Sequence, residues 1–315
     1  MKKILASVLC LALLLSASCA FAADVNFVTA GTSSTFYPIS ATIVGLWNEN
    51  IEGMRATATP SGGGIDNLNQ AYDGEAQIGI ANANLVYQAQ EGLASFEGYA
   101  NDNLRIFAGL YLNPNQVVVT KESGINSIED MIGKKISVGA AGSTTVDEAT
   151  VHLSLLGKTL EDMQTEYMGT SESADAISNK QLDGVWVMAG TPNAAVTQIM
   201  TTTEAKILPI PAETVEALKA EYPWYAASEI PAGTYAGQDE AVPTSAVKLT
   251  LFITADVDEE TVYQMTKVFW ENWDMLTETH AALKKADPKE ACNDVAGVAI
   301  HDGAARYYRE IGLMQ

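Results

Sequence analysis

Residues 25–34 read VNFVTAGTSS and residues 136–145 read ISVGAAGSTT, and this repeated pattern decides the fold. In each copy a run of β-forming residues leads into a turn of Gly, Ser and Thr, and a helical pattern follows. This order leaves free backbone N–H groups at the start of the helix, where they attract anions without any charged side chain. Two such turns, about 110 residues apart, predict two lobes that each form one wall of a cleft.

The sequence around both turns alternates between strand and helix patterns. Ile39, Ile43 and Leu46, for example, recur at helical spacing directly after the first turn. Alternating strands and helices imply an α/β fold in which a mostly parallel sheet is covered on both faces. A long helix is predicted over residues 259–276. Residues 222–238 are predicted to form a loop, either on the surface or at the edge of the cleft.

The same alternation predicts how the chain divides into lobes. We expect lobe 1 to combine residues 23–120 with residues 246–315, and lobe 2 to span residues 121–245. The apolar runs at residues 117–120 and 247–254 lie where a chain crossing between the lobes needs paired hinge strands.

The N-terminus has the pattern of a cleavable signal peptide over residues 1–22. Lys2 and Lys3 precede an apolar stretch that is too short to span a bilayer, and the small-residue pattern ending at Ala22 is typical of a cleavage site. We therefore predict a periplasmic protein cleaved near Ala22, with a retained membrane anchor as the alternative.

Charge and cysteine content restrict the partners of the mature chain. The net charge of −21 becomes −23 without Lys2 and Lys3, which argues against nucleic acid and anionic membranes as partners. The mature chain keeps only Cys292, so no intramolecular disulfide is available and stability must come from the core.

Five neutral loops are expected at the carboxyl ends of predicted strands, where open α/β sheets bind ligands. Their hydroxyl, amide and backbone groups can hold a carboxylate through fixed dipoles. Ordinary turn and helix-capping chemistry is the alternative for each loop. The loops cover residues 31–37, 61–64, 82–84, 142–145 and 189–192.

Catalytic and metal-binding motifs are missing from the sequence. It contains no G-x-S-x-G, G-x-G-x-x-G or H-E-x-x-H pattern and no Walker lysine. The three histidines are isolated, and we interpret His152 and His280 as solvated helix residues. Asp147 and Glu148 suit the first turn of a helix, where the dipole favours acids. We expect no enzymatic activity, no cofactor and no metal.

Eight short motifs follow one another along the mature chain. They are GTSSTFYP (31–38), TPSGGGIDNL (59–68), IANANLVY (80–87), IEDMIGKK followed by VG (128–139), GSTT (142–145), GTP (190–192), IPAGTY (230–235) and HDGAARYYRE (301–310). In this order and spacing they resemble the signatures of the TAXI group, the solute-binding proteins of TRAP transporters.

The resemblance implies a type II periplasmic-binding-protein fold, with two α/β lobes that close around a ligand. It also implies delivery of the solute to a separate membrane permease driven by an ion gradient. Relatives in the group bind glutamate or similar dicarboxylates.

Several positions depart from the family pattern. Ser33 and Ser34 replace two glycines, Asn82 and Asn84 belong to a segment that is often Gln-Ser-Asp, and Thr144 replaces a glycine. At Ser33, Ser34 and Thr144 side chains therefore stand where the family has glycine, and we predict that selectivity departs from that of the relatives mainly at the Gly31 turn.

We accordingly predict a monomeric extracytoplasmic receptor for a small organic acid, either a glutamate-like amino acid or a dicarboxylate, which it delivers to TRAP permease subunits. The alternatives are the binding subunit of an ATP-driven importer, a sensor input, and an exported hydrolase.

The predicted ligand-binding residues fall into three groups. Ser143, Thr144 and Thr145 are the expected carboxylate donors. Four aromatic residues are candidates to cover the ligand, with core packing as the alternative for each. These are Tyr37, Tyr111, Trp186 and Tyr235, and the opposite wall and remaining loop positions are Gly31, Thr32, Ser33, Ser34, Ser61, Gly62, Asn82, Asn84, Gly190 and Thr191.

Overall fold

The computed structural model describes residues 23–32 and 34–314. The predicted signal peptide and the predicted site residue Ser33 lie outside the described residues. Within the described part, no helix combines the length and the apolar composition needed to cross a bilayer.

Twenty principal strands and helices follow one another along the chain. They are β1 (Ala23–Val28), α1 (Phe36–Asn50), β2 (Met54–Thr59), α2 (Gly64–Tyr72), β3 (Ile78–Asn82), α3 (Ala83–Glu91), β4 (Leu104–Thr120), β5 (Lys135–Ser137), α4 (Thr144–Ser154), β6 (Gln164–Glu166), α5 (Thr170–Ser178), β7 (Gly184–Met188), α6 (Ala194–Thr202), β8 (Ala205–Leu208), α7 (Ala212–Glu221), β9 (Ala226–Ile230), β10 (Val242–Thr254), α8 (Glu259–Glu271), α9 (Trp273–Thr279) and α10 (Asp302–Glu310).

The strands form two connected sheets. Sheet A has the order β2-β1-β3-β10-β4, and sheet B contains β7, β5 and β6, with β8 beside β4. Pairing is parallel among β1, β2 and β3 and among β5, β6 and β7, but antiparallel wherever β4 or β10 takes part. Both sheets are therefore mixed rather than mostly parallel, because β4 and β10 run antiparallel to the strands beside them.

Strands β4 and β10 run from one sheet to the other. Up to Pro114, β4 pairs with β10 in sheet A; from Asn115 onward it pairs with β7 and β8 in sheet B. The first part of β10 pairs with β9, and its later part pairs with β3 and β4. Pro114 stands opposite Ala246, so both strands cross at the same level.

Sheet A is covered by an aromatic core. Ile39, Ile43 and Trp47 form the buried face of α1, as their spacing predicts. The Trp47 ring lies 5.9 Å from Phe27 and 5.8 Å from Phe107 between ring centroids. Fully burying a large apolar side chain contributes roughly 1.5–3 kcal/mol, so this cluster is a main source of stability.

The α/β fold class agrees with the sequence prediction, and four local expectations were wrong. The apolar runs predicted to cross between the lobes each stay in one sheet: residues 117–120 pair with β7 and β8 in sheet B, and residues 247–254 pair with β3 and β4 in sheet A. The helix predicted over residues 259–276 breaks at Asn272 into α8 and α9. The loop predicted over residues 222–238 contains β9, which is held by pairing with β10. The loop predicted at residues 82–84 does not exist, because Asn82 ends β3 and Ala83 begins α3 directly.

Candidate ligand-binding site

A cavity of about 190 Å³ lies between sheets A and B, at the carboxyl ends of their parallel strands. Sheet A lines it through Ala30 and Asn82, and sheet B lines it through Gly139, Gly169 and Met188. A cavity of about 150 Å³ is known to accept benzene, so this one has room for a small ligand.

Helix N-termini converge on this cavity. Helices α2, α3, α4 and α5 begin beside it, and their N-cap residues line it without making a side-chain capping hydrogen bond. The N-terminus of each helix therefore directs backbone N–H groups and a partial positive charge towards the cavity. The four N-cap residues are Gly63, Asn82, Ser143 and Gly169.

Two further helices at the cavity are capped by side chains. The Ser34 hydroxyl oxygen accepts a hydrogen bond from the Tyr37 backbone N–H at the start of α1, at 3.2 Å. Asn193 Oδ1 accepts from two backbone N–H groups of α6, at 3.0 and 3.2 Å. These two N-termini have side-chain partners, whereas the N-cap residues of α2 to α5 make no side-chain capping bond.

The glycine loop before α2 touches the turn before α4 across the cavity. The Asp66 N–H donates to the Gly142 carbonyl oxygen at 3.1 Å. A Cβ atom on Gly62 would lie 3.0 Å from the Ala141 carbonyl oxygen, and one on Gly64 would collide with Thr144 Oγ1. Gly63 has a φ of 114°, which side chains rarely allow. The two walls are therefore in contact.

A second contact joins the two sides away from the cavity. Lys285 Nζ donates to Thr191 Oγ1. A Cβ on neighbouring Gly190 would lie 2.9 Å from the Tyr111 hydroxyl oxygen. Because Lys285 follows α9 and Thr191 follows β7, this contact also links the sheet A side to the sheet B side.

The described residues that line the cavity carry no formal charge. Two of their buried polar atoms, Asn113 Oδ1 and Ser143 Oγ, have no hydrogen-bond partner in the described part of the chain. Buried polar atoms are normally paired, so these two atoms are exceptions at the cavity.

Behind the cavity, a buried polar network joins α4 to both crossing strands. Trp186 Nε1 donates to Asn115 Oδ1 at 2.8 Å. Asn115 Nδ2 donates to Glu148 Oε2 at 2.9 Å and to Ser245 Oγ at 3.0 Å. His152 Nδ1 lies 2.7 Å from the Glu148 carbonyl oxygen and Nε2 lies 2.8 Å from Ser245 Oγ, so Nδ1 donates and Nε2 accepts.

Burial favours the neutral forms in this network. It raises the pKa of Glu148 to about 8 and that of Asp147 to about 6, and it lowers the pKa of His152 to about 4. Although His152 Nδ1 lies 4.0 Å from Glu148 Oε2, both pKa shifts oppose charge, so the two side chains form a neutral contact rather than an ion pair. The expectation that His152 is solvated was wrong.

The described residues contain no group of three or more His, Cys, Asp or Glu side chains placed to hold a metal ion. The polar chemistry of the cavity therefore consists of amides, hydroxyls and helix N-termini.

The sequence profile of the NMT1-like family matches residues 27–312. The chain belongs to the NMT1-like family. Membership of the TAXI group stays a prediction from the sequence motifs.

Solved structures resemble this NMT1-like protein over most of their length. The periplasmic binding protein BugD gives a TM-score of 0.55 at 13% identity, covering 91% of this chain and 94% of that chain. A putative L-cystine ABC transporter protein from Listeria monocytogenes gives 0.53 at 11% identity, covering 84% and 98%. A structure described for glutathione import through GshT and TcyBC of Streptococcus mutans gives 0.52 at 13% identity, covering 84% and 97%. These matches establish the type II periplasmic-binding-protein fold.

The NMT1-like fold brings eight of the predicted site residues to the cavity. They come from both sheets and include all three expected carboxylate donors. The eight are Gly31, Ser34, Ser61, Gly62, Asn82, Ser143, Thr144 and Thr145.

The other described members of the predicted set do not line the cavity. Thr32 is exposed, Tyr37 is half-buried on α1 and Asn84 is buried on α3. Trp186 and Tyr235 are buried in the cores of sheet B, and Tyr111 in that of sheet A. Gly190 and Thr191 belong to the second contact between the two sides.

Several lining residues were missed by the sequence reasoning. Thr170 and Asn193 begin helices that follow strands β6 and β7, so the loop after β6 was a sixth candidate of the same kind. Asn113 lies inside β4, where its signal was a polar NPNQ segment within an otherwise apolar run.

Proposed function

We propose that this NMT1-like protein is an extracytoplasmic receptor that binds a small organic anion between sheets A and B and delivers it to a membrane transporter. The observation that supports this most directly is the convergence of four uncapped helix N-termini on one uncharged cavity. Such N-termini bind carboxylates and phosphates through backbone N–H groups.

Local dipoles must attract this anion against the charge of the whole protein. The net charge of −21 repels anions at long range. At the cavity, each charge-assisted hydrogen bond contributes about 1.5–3 kcal/mol, and several N–H groups act together. A monocarboxylate is held by one or two helix N-termini, and a dicarboxylate by a larger number.

The closed arrangement is consistent with capture by lobe closure. In this proposal residues 23–120 with 246–315 and residues 121–245 form the two lobes, and β4 and β10 bend between them. The contacts of Gly62 with Ala141 and of Lys285 with Thr191 then form on closure. A ligand shifts the population to the closed state only as far as it binds that state more tightly.

The class of transporter has two candidates with different support. Two of the similar structures are described as parts of ABC importers, which favours an ATP-driven partner. The TAXI-like motifs are the support for an ion-driven TRAP permease. Reconstitution of the receptor with its permease in vesicles separates them, because only an ABC importer needs ATP inside the vesicle.

Calorimetry and thermal shift test the binding function. We expect at least one small carboxylate from a panel of mono- and dicarboxylates to bind and to raise the Tm, and the matching neutral amide to do neither. Ser143→Ala should weaken binding about tenfold with little loss of stability, because its hydroxyl makes no capping bond. Ser154→Ala at the exposed end of α4 is the control. Equal binding of acids and amides, or no binding across the panel, would refute the proposal.

A further inference from the structure

Asn113 is the polar side chain of the cavity that faces the ligand from a crossing strand. It lies on β4, only 6% of its surface is exposed, and its Oδ1 atom has no partner among the described residues. A buried acceptor without a donor is unfavourable, so a ligand that supplies the donor gains affinity.

The neighbouring contacts fix which atom of the Asn113 amide is free. Asn82 Nδ2 lies 2.8 Å from the Met188 sulfur. A thioether has no proton to donate, so the atom of Asn82 that faces it must be the NH₂ group. Asn82 Oδ1 therefore faces Asn113 and accepts from its Nδ2 at 3.5 Å. The remaining atom of Asn113, which has no partner among the described residues, is the carbonyl oxygen.

The cavity thus combines many donors with one unpaired acceptor. The N-termini of α2 to α5 supply N–H donors, which suit a carboxylate. A plain carboxylic acid anion offers only acceptors and leaves Asn113 Oδ1 unpaired. The ligand must therefore carry a donor in addition to its carboxylate.

The electrostatics favour an uncharged donor. Positive helix ends surround the cavity and repel an ammonium group. Among the described lining residues there is no carboxylate to offset this repulsion, and the nearby Asp66 Oδ2 already accepts from the Gly62 N–H at 2.8 Å. A hydroxyl group provides the same hydrogen bond without a positive charge.

We propose that the ligand is a small hydroxy acid, with its carboxylate at the helix N-termini and its hydroxyl donating to Asn113 Oδ1. This rests on the proposed function and narrows its substrate class from organic acids in general. It also makes Asn113 the residue that selects hydroxy acids over their deoxy analogues, while the helix ends disfavour amino acids.

Two matched sets of ligands test this selection by calorimetry. The first is lactate, propanoate and alanine, and the second is malate, succinate and aspartate; each set places a hydroxyl, a hydrogen or an ammonium on the same carbon. In one set at least, the hydroxy acid should bind about tenfold more tightly than both analogues.

Variants at Asn113 give the second part of the test. Asn113→Leu should remove the preference for the hydroxy acid over its deoxy analogue. Asn113→Asp adds a carboxylate that can offset the repulsion between the helix ends and an ammonium group, so it should shift the preference towards the amino analogue. Asn69→Leu on the exposed surface of α2 is the matched control and should keep the wild-type order. Circular dichroism establishes that each variant is folded.

The outcomes separate this inference from the proposed function. If the deoxy or amino analogue binds wild-type protein as tightly as the hydroxy acid, the inference is overturned while anion binding stands. If acids bind but Asn113→Leu and Asn113→Asp both keep the wild-type order, Asn113 is not the selecting residue and the inference is again overturned. If no organic acid binds, the proposed function itself fails.

Discussion

Asn115 on strand β4 donates a buried hydrogen bond of 2.9 Å to Glu148 on helix α4. The same Asn115 nitrogen reaches Ser245 on β10, and α4 begins at the Ser143 turn beside the cavity. The Asn115 amide therefore connects both crossing strands to the helix that begins at the cavity.

Replacing Glu148 by Gln should flatten the dependence of stability on pH. Burial raises the folded-state pKa of Glu148 to about 8 from a usual value of 4.5, so the folded protein binds more protons than the unfolded chain between these values. Stability consequently falls as pH rises through this window. Between pH 7 and 8, where His152 and Asp147 have largely completed their titration, we expect a loss of about 1 kcal/mol in wild type and much less in Glu148→Gln.

Urea unfolding at several pH values measures this effect. Glu161→Gln is the control, because Glu161 is exposed on the surface. A Glu148→Gln variant with the wild-type slope between pH 7 and 8 would show that Glu148 ionises normally.

Gly62→Ala should weaken ligand binding without unfolding the protein. The new Cβ would lie 3.0 Å from the Ala141 carbonyl oxygen, which belongs to the opposite wall, so the cost falls on the closed state. Overpacking of this kind typically costs 1–3 kcal/mol, and we expect about a tenfold loss of affinity. Calorimetry gives the affinity, and small-angle scattering shows whether the ligand still compacts the molecule.

Gly45→Ala is the matched control for Gly62→Ala. Its Cβ would meet nothing within 4 Å, so binding should stay unchanged. Wild-type affinity in Gly62→Ala would mean that the two walls do not approach each other as closely in solution.

Tyr235→Phe should lower stability by about 1–3 kcal/mol. The Tyr235 hydroxyl donates to Gln116 Oε1 at 2.5 Å and accepts from the Asn193 backbone N–H at 2.8 Å, and all three groups are buried. Its loss leaves two buried polar groups unpaired. Urea unfolding measures the change, and Tyr99→Phe is the control because Tyr99 is 59% exposed. A large loss of affinity with unchanged stability would instead favour direct ligand contact by Tyr235.

Lys285 and Thr191 should be energetically coupled in ligand binding. Lys285 Nζ donates to Thr191 Oγ1 between the two sides of the molecule, and partial burial lowers the pKa of Lys285. We expect Lys285→Met and Thr191→Val each to weaken binding, and the double variant to be weakened less than the sum by about 0.5–1 kcal/mol. Calorimetry on the four proteins completes the cycle. Fully additive effects would show that the contact does not stabilise the closed form.

The sequence predicted the fold well where the apolar residues of a helix recur at regular spacing and pack into a single core. The spacing of Ile39, Ile43 and Trp47 reports directly on the buried side of α1, so the helix was predicted in the right place. The turns at Gly31 and Gly142 were also placed correctly, because strand, turn and helix follow each other locally.

Distant contacts account for most of the errors. His152 stands among acidic residues in the sequence. In the structure it is buried and forms a hydrogen bond with Ser245, which is 93 positions away. Trp186 lies on the same strand face as Met188 but two residues further from the strand end, so only Met188 reaches the cavity. Asn113 was missed because it lies inside a strand, whereas the sequence reasoning considered loops at strand ends, although the polar NPNQ segment interrupts an apolar run there.

The position of β10 also has a consequence for the order of folding. This strand lies between β3 and β4 in sheet A, yet it is made after all of sheet B. When the ribosome has reached residue 241, it has therefore made β1, β2, β3 and β4 of sheet A. It has not yet made β10, which lies between β3 and β4. Since pairing between distant segments is slow, the core of sheet A stays incomplete until synthesis has passed β10, although every strand of sheet B precedes it. That delay suits a protein proposed to cross a membrane as an unfolded chain and to fold on the other side.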